Sequence, residues 1–473
     1  MKFFFNAIHN SKNAFITYLT DIEGNLKYLA NWASRSNIVG IENGNLYFKR
    51  KAAEDTFVFG GDFCHKGPGD ITIGRLLNEF KDKYPKQVIL IAGKHELKSR
   101  RFTEELDPKN IRQRLIHGPA PFWNPEATPQ KYLLNSMKKQ HIQVNSLKDL
   151  EYYLKDQNTE ECQTLYLKWM LEETMGCGSH HNKPSTFEYR RQELTFLKMK
   201  PVQKVSDQEV TQSFIDSVAP DGMITRYLKN AKLGAIKDDT LFIHGAVTLD
   251  NMGYVPGMPD DVNRISCAKE WIDSLNSWYR DQINHWIDHP TENEFHVPGQ
   301  SELDHYVLYN PRSVVTSNWY TRGKLAPIHP KIEAFLNKAG IHRVVCGQQS
   351  FGDFPLIIRN PNLEVIVGDT SYSDVQAKQN TRGDAIHNLE IKQYKSNSCA
   401  IIDAVRKGGS SNYIELPSCK TTLSGSEQTI GQFTKDGKLI RPGTEDGLVA
   451  CVLDGFEVID EKLESHNATF GMS

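Results

Sequence analysis

Three hydrophobic runs in the first hundred residues each stop at a glycine-bracketed cluster of acidic and imidazole side chains. FITYL (15–19) leads into TDIEGN (20–25), TFVF (56–59) into GGDFCHKGPGD (60–70), and QVILI (87–91) into AGKHE (92–96). Short apolar runs rich in β-branched and aromatic residues and closed by Gly read as buried strands. Stretches of helical character, Leu26 to Arg35 and Ile71 to Phe80, lie between them, so residues 14–100 spell a βαβαβ unit with parallel strands. In such a sheet ligands bind beyond the carboxyl ends of the strands. Asp21, Glu23, Asp62, His65, His95 and Glu96 are thereby delivered to one edge, which is the plan of a metal or phosphate site.

The texture changes near residue 103. Apolar residues recur at helical spacing among Lys, Glu and Gln, as in TPQKYLLNSMKKQ (128–140) and ECQTLYLKWMLEETM (161–175). Strand signals return at TLFIHGAV (240–247), HRVVCGQQ (342–349), LIIRN (356–360), LEVIVGDTSYSD (363–374) and NSCAIIDA (397–404), and they bring His244 and Asp369 to strand ends of their own. The expected division is a first half of the core over 1–102, a mainly helical insertion over 103–225, and a second half over 226–404. A small β-rich extension follows over 405–473. The insertion splits one unit and reads as a lid or a docking element. Asp70 reads as a helix cap before ITIGRLL.

Composition removes several classes of function. A net charge of −2 over 473 residues supplies no field for nucleic acid or an anionic membrane. No run reaches the roughly 18 apolar residues of a membrane span, and polar residues 9–13 break up the apolar start expected of a signal peptide. The eight cysteines form no CxxC, and even Cys162 and Cys177 stand 15 residues apart. A reduced, cytoplasmic setting is the expectation, although export without a classical signal leaves no trace in a sequence.

Carboxylate oxygens with imidazole nitrogens suit Mn, Mg, Zn or Fe better than a thiolate site does. Asp62, set behind two glycines, could bridge two ions roughly 3.5–4 Å apart, the spacing at which a pair of ions activates water and braces phosphate oxygens. Lys66, Lys98, Arg100 and Arg322 are candidates to neutralise a phosphoryl group. His95 suits protonation of a leaving oxygen.

In these segments the chain resembles the calcineurin-like metallophosphoesterases, nearest in pattern to the branch of Ser/Thr protein phosphatases and diadenosine tetraphosphatases. DIEG (21–24), GDFCHKG (61–67), GKHE (93–96), HG (244–245) and GQQS (347–350) stand where that family has its ordered motifs. DTSYSD (369–374) resembles the strand that closes the site region. The resemblance implies an α/β sandwich of β-sheets flanked by helices, carrying a large helical insertion. It implies metal ligands at Asp21, Glu23, Asp62 and His244, with Asp21, Glu23 and Asp62 around the first ion. His95 takes the catalytic histidine's place and His65 that of its orienting Asp. Glu96, Gln348 and Asp369 stand behind the ligands. Four departures matter: Glu23 replaces a ligating His, Lys94 a ligating Asn, Gln348 a ligating His, and His65 an Asp. A lysine ammonium cannot coordinate, so Lys94 stands in for the second ion's charge or pairs with Glu23.

The function implied is a phosphoesterase dependent on one or two divalent ions, Mn or Mg first, acting on a phosphomonoester, with phosphoproteins among the candidate substrates. Two alternatives stay open. One is a catalytically silent relative that binds a protein partner through its cleft or insertion, and the other is a nucleotide phosphohydrolase.

Overall fold

Along β1 (Phe15–Leu19) and β4 (Thr56–Phe59) successive side chains point to opposite faces. Ile16, Tyr18 and Val58 join one core with Phe242, Val345, Ile366, Leu389 and Ile402. Leu19, Phe57 and Phe59 join another with Trp32, Ile73 and Phe80. One face is therefore made for a second sheet and the other for helices, and the fold is an α/β sandwich. The structure is a computed structural model describing residues 14–463 apart from 122, 178–183, 200, 202–203, 260–263, 291–300, 309, 322, 371–384, 395–396, 407, 420–428, 445–446 and 456. Arg322 and most of DTSYSD lie outside the described residues.

The first half continues through α1 (Leu26–Arg35), the hairpin β2–β3 (Val39–Glu42 and Asn45–Phe48), α2 (Asp70–Lys83), β5 (Val88–Ile91) and α3 (Lys94–Ser99). Eight α-helices follow without a strand among the described residues: α4 (Arg101–Glu105), α5 (Ile111–His117), α6 (Pro129–Lys139), α7 (Leu147–Asp156), α8 (Thr159–Trp169, continued by a π-helical turn over Met170–Thr174), α9 (Thr186–Leu197), α10 (Asp207–Ser217) and α11 (Met223–Asn230). Their starts follow from capping chemistry. Ser146, Asn158, Ser185 and Ser206 each accept the N–H three residues on, at the head of α7, α8, α9 and α10.

The chain then returns to β6 (Ala231–Lys232), β7 (Gly234–Lys237), β8 (Thr240–Ile243), α12 (Ala268–Asp288), α13 (Glu302–Val307), α14 (Pro330–Lys338), β9 (Arg343–Cys346), β10 (Leu356–Arg359) and β11 (Glu364–Val367). It ends in β12 (Ile386–Gln393), β13 (Ser398–Val405), β14 (Ser411–Pro417), β15 (Leu439–Pro442), β16 (Leu448–Asp454) and β17 (Glu457–Lys462). The large sheet runs β14-β13-β12-β1-β4-β5-β6 and its partner β10-β11-β9-β8-β7, while β15-β16-β17 form a sheet of their own. β14, from beyond residue 405, is thus an edge strand of the large sheet. β1, β4, β5 and β6 are parallel, as are β8, β9 and β11. Tyr18 stacks on Phe242 between the sheets with ring centroids 5.9 Å apart.

The helical segment grips the core at the start of α2. Gly69 offers that helix no side-chain cap, and Asp70, expected as the cap, is instead its first residue. The cap comes from α9: the Glu193 carboxylate accepts the Ile71 and Thr72 N–H groups at 3.0 and 2.9 Å. Asp70 accepts the His65 N–H at 2.8 Å and pairs with the buried Arg190 at 3.1 Å. Arg190 also donates to the Ser213 carbonyl and lies 4.1 Å from the Phe214 ring centroid.

Candidate metal centre

Parallel strands end together, so Thr20, Gly60, Ala92, His244, Gly347 and Gly368 converge on one edge of the sandwich. The first two motif loops are zipped by backbone bonds: the N–H groups of Asp21, Glu23 and Gly24 donate to the carbonyls of Gly61, Asp62 and Phe63 at 3.0, 3.0 and 2.7 Å. Glycine is required where backbone meets carboxylate. A Cβ on Gly93 would lie 2.2 Å from the Asp62 nitrogen, and one on Gly347 would lie 2.0 Å from Asp21 Oδ2. Six side-chain-bearing residues of the site, Asp21, Glu23, Asp62, His65, Lys66 and Gln348, hold positive φ between 43° and 74°. Such strain persists only where the surroundings over-determine it, and it gathers at functional sites.

Glu96 supplies much of that determination. Its buried carboxylate accepts the N–H groups of Asp62 and Gly93, each at 3.1 Å, and of Phe63 at 2.6 Å. Burial and the neighbouring Asp62 charge still push it up to about 7. Asp62 is thus aimed from behind, while Asp62 Oδ1 accepts the His95 N–H at 2.8 Å.

Two donor triads share this carboxylate. Asp21, Asp62 and His244 form one, Glu23, Asp62 and His95 the other, and within each the donor atoms lie within 4.8 Å of one another. This differs from the resemblance, in which Asp21 and Glu23 served one ion and His244 the other. His244 Nδ1 donates to the Gly60 carbonyl at 2.8 Å, so the neutral ring turns its Nε2 lone pair on Asp62 Oδ2, 3.3 Å away. In the neutral ring that buried nitrogen has no hydrogen-bond partner among the described residues. A lone pair facing a carboxylate repels unless a proton or a cation lies between them. Burial opposes the proton, yet the Asp62 and Asp21 charges lift His244 to about 10. His95 behaves oppositely: burial, against the pull of Asp62, holds it well below the ordinary imidazole value. Its Nε2 stands 3.8 Å from both Asp62 Oδ2 and Glu23 Oε1. The donor set and the unsatisfied nitrogen fit divalent ions.

The other expected residues are placed as follows. Lys66 pairs with Glu23 at 2.9 Å, so the Glu23–Lys94 pair does not form. The half-buried Lys94 makes no hydrogen bond or ion pair among the described residues, and the charges of Asp62, Glu23 and Asp21 act on it. Lys98 is 3% exposed and likewise has no such partner, only the Trp123 ring 6.0 Å away. Burial holds its amine well below the usual lysine range, and Lys94 and Arg101 add to the effect. Arg100 is turned away, pairing with Asp304 at 2.8 Å, because α13 packs against this side of α3. Gln348 acts through its backbone, its N–H donating to Asp21 Oδ2 at 3.1 Å. Asp369 is buried at the end of β11, where its carbonyl accepts the Phe351 N–H. His65 Nδ1 lies 3.1 Å from His95 Nδ1; burial and the Arg190 charge push His65 down to about 3.

Sequence reasoning missed Thr20, whose hydroxyl donates to Asp21 Oδ2 at 2.5 Å, and Ser99, which lies one turn beyond His95 and 3.4 Å from His65 Nε2. The i, i+4 spacing on a short helix was the only available signal for Ser99.

Residues 16–198, the stretch carrying the first three motif loops, match the family model described as calcineurin-like phosphoesterase. That stretch is similar to the calcineurin-like phosphoesterases over less than half of the chain. No curated protein matches the chain. Among solved structures the chain is similar to a protein serine/threonine phosphatase from Saccharomyces cerevisiae, itself described as similar to human phosphatase PP5. Identity is 11% and the TM-score 0.36, over 83% of this chain and 80% of that one. The two candidate metal triads each offer three protein donors. No helix among the described residues is long and apolar enough to cross a membrane.

Proposed function

We propose that the protein is a metal-dependent phosphoesterase acting on a phosphomonoester. The observation that carries this reading is the pair of buried triads sharing Asp62, in one of which His244 Nε2 and Asp62 Oδ2 face each other at 3.3 Å. Asp21, Asp62 and His244 would hold one divalent ion, and Glu23 with Asp62 the second. Ions bound there would lower the pKa of water and polarise a phosphoryl oxygen. Lys94 and Lys98 recur one turn apart on α3 without a carboxylate partner among the described residues, and either could meet a phosphate oxygen, whose charge would favour the protonated amine. Helices α4–α11 act as a lid: Trp123 and Gly176 lie against Lys98, and Arg190 and Glu193 fasten them to the loop that carries His65.

The test is metal content together with hydrolysis of an aryl phosphate, after reconstitution in turn with Mn, Mg and Zn. Turnover that tracks bound metal supports the reading. Bound metal with no turnover, or neither, moves the chain to the class of silent relatives that bind a partner through the cleft or the helices. Lys98→Met separates binding from stability. It replaces a buried amine that has no hydrogen-bond partner among the described residues with an apolar side chain, so the unfolding midpoint rises. Meanwhile kcat/KM for the aryl phosphate falls roughly tenfold, corresponding to about 1.4 kcal/mol of lost phosphate stabilisation. Thermal unfolding and steady-state kinetics on one preparation check both directions.

A further inference from the structure

The hydrogen bonds behind His95 form a closed set. Ser99 Oγ lies 2.8 Å from the His95 carbonyl oxygen and 3.4 Å from His65 Nε2. A hydroxyl has one proton, and the shorter contact, to an acceptor that can only accept, takes it. Toward His65 the Ser99 oxygen can then only accept, so the His65 proton sits on Nε2. The His65 Nδ1 is left as a lone pair, 3.1 Å from His95 Nδ1, and the proton in that contact must come from His95. A neutral His95 with its proton on Nδ1 has none on Nε2, the atom that faces Glu23 and Asp62 at 3.8 Å. His65, His95 and Ser99 are all buried, and no water or further side chain is needed to close the chain of contacts.

We infer that Ser99, acting through His65, fixes the tautomer of His95 so that Nε2 is offered as a lone pair, making His95 a divalent-cation donor rather than a proton donor. In this role it completes the triad with Glu23 and Asp62, on the side where Lys94 supplies no ligand. Ser99 is a positioning residue, two bonds removed from the site. Orienting partners of this kind set ligand basicity and ring orientation, and their removal typically weakens metal binding by about 10–100-fold.

The test needs no turnover. In metal-free protein labelled with 15N-histidine, and assigned by a His95→Gln variant, the long-range nitrogen–proton spectrum should show His95 protonated at Nδ1 and bare at Nε2. Zn2+ alone should then shift Nε2. In Ser99→Ala the His95 signal becomes a tautomer mixture and Zn2+ affinity drops about tenfold. His65→Asn is the rescuing variant. Its Oδ1 stands where the His65 Nδ1 does, accepts from His95 without help from Ser99, and tolerates the φ of 71° at this position. Adding it to Ser99→Ala should restore both the tautomer and the affinity. A proton on His95 Nε2 in the metal-free protein overturns the inference, and so does Ser99→Ala with tautomer and affinity unchanged. The phosphoesterase reading bears on turnover alone. A confirmed tautomer with Zn2+ bound and no hydrolysis sinks that reading while leaving this one intact.

Discussion

Asp62→Asn yields a folded protein in which aryl phosphate hydrolysis falls by about a thousandfold or more and stoichiometric metal binding is lost. Both triads lose the anionic carboxylate they share. The charge stabilisation an ion supplies amounts to several kcal/mol, and about 4 kcal/mol corresponds to a thousandfold in rate. Folding should survive because asparagine satisfies the contacts left behind. Its Oδ1 still accepts the His95 N–H, and its amide can donate to the His244 Nε2 that Asp62 Oδ2 now faces at 3.3 Å. Metal analysis, turnover and a melting curve on the variant settle the matter together. A variant that keeps turnover, or that fails to fold, contradicts the assignment of Asp62 as the bridge.

The second large effect concerns stability and lies at Arg190. Arg190→Met removes the counter-ion of the fully buried Asp70, and breaking a buried pair in this way costs about 3–5 kcal/mol. The cost depends on pH. Burial, countered by the Arg190 charge, pushes Asp70 up to about 7, and the variant carboxyl must lie higher still. Below the first value both proteins hold Asp70 protonated and the guanidinium has little charge to neutralise. Above it the wild type gains the ion pair and the variant does not. The stability difference between the two should therefore widen as pH rises through about 7. Urea unfolding at several pH values measures it, and a pH-independent difference would show that the hydrogen bond to Ser213 and the Phe214 contact carry the stability instead.

Much of the site was legible in the first hundred residues because strand, glycine and acid occur there in one order, three times over. Asp21, Asp62, His95 and His244 could each be placed at a strand end, and the parallel arrangement of those strands puts them on one edge. The pairing of charges was not legible. That Lys66 rather than Lys94 holds Glu23 depends on how the first two motif loops meet, and that Arg100 turns to Asp304 depends on α3 and α13 packing together. Nor could any local pattern show that Glu193 caps a helix starting 123 residues earlier. Its spacing from Arg190 is an ordinary helical one, and its partners lie far away in the chain. Gln348 looked like a lost ligand, yet its contribution is a main-chain N–H that any residue but proline could supply.

The position of β1 in the large sheet bears on how the chain is made. Ile16 lies beside Thr56 on one side and Ile391 on the other, so one flank of the first strand waits for a partner near the far end of the polypeptide. At ribosomal rates of about 5–20 residues per second the wait is on the order of half a minute. During that time a largely apolar strand edge lies open to any other nascent chain. Truncated or stalled products should therefore aggregate through the very segment that, once β12 arrives, becomes one of the best-buried in the molecule.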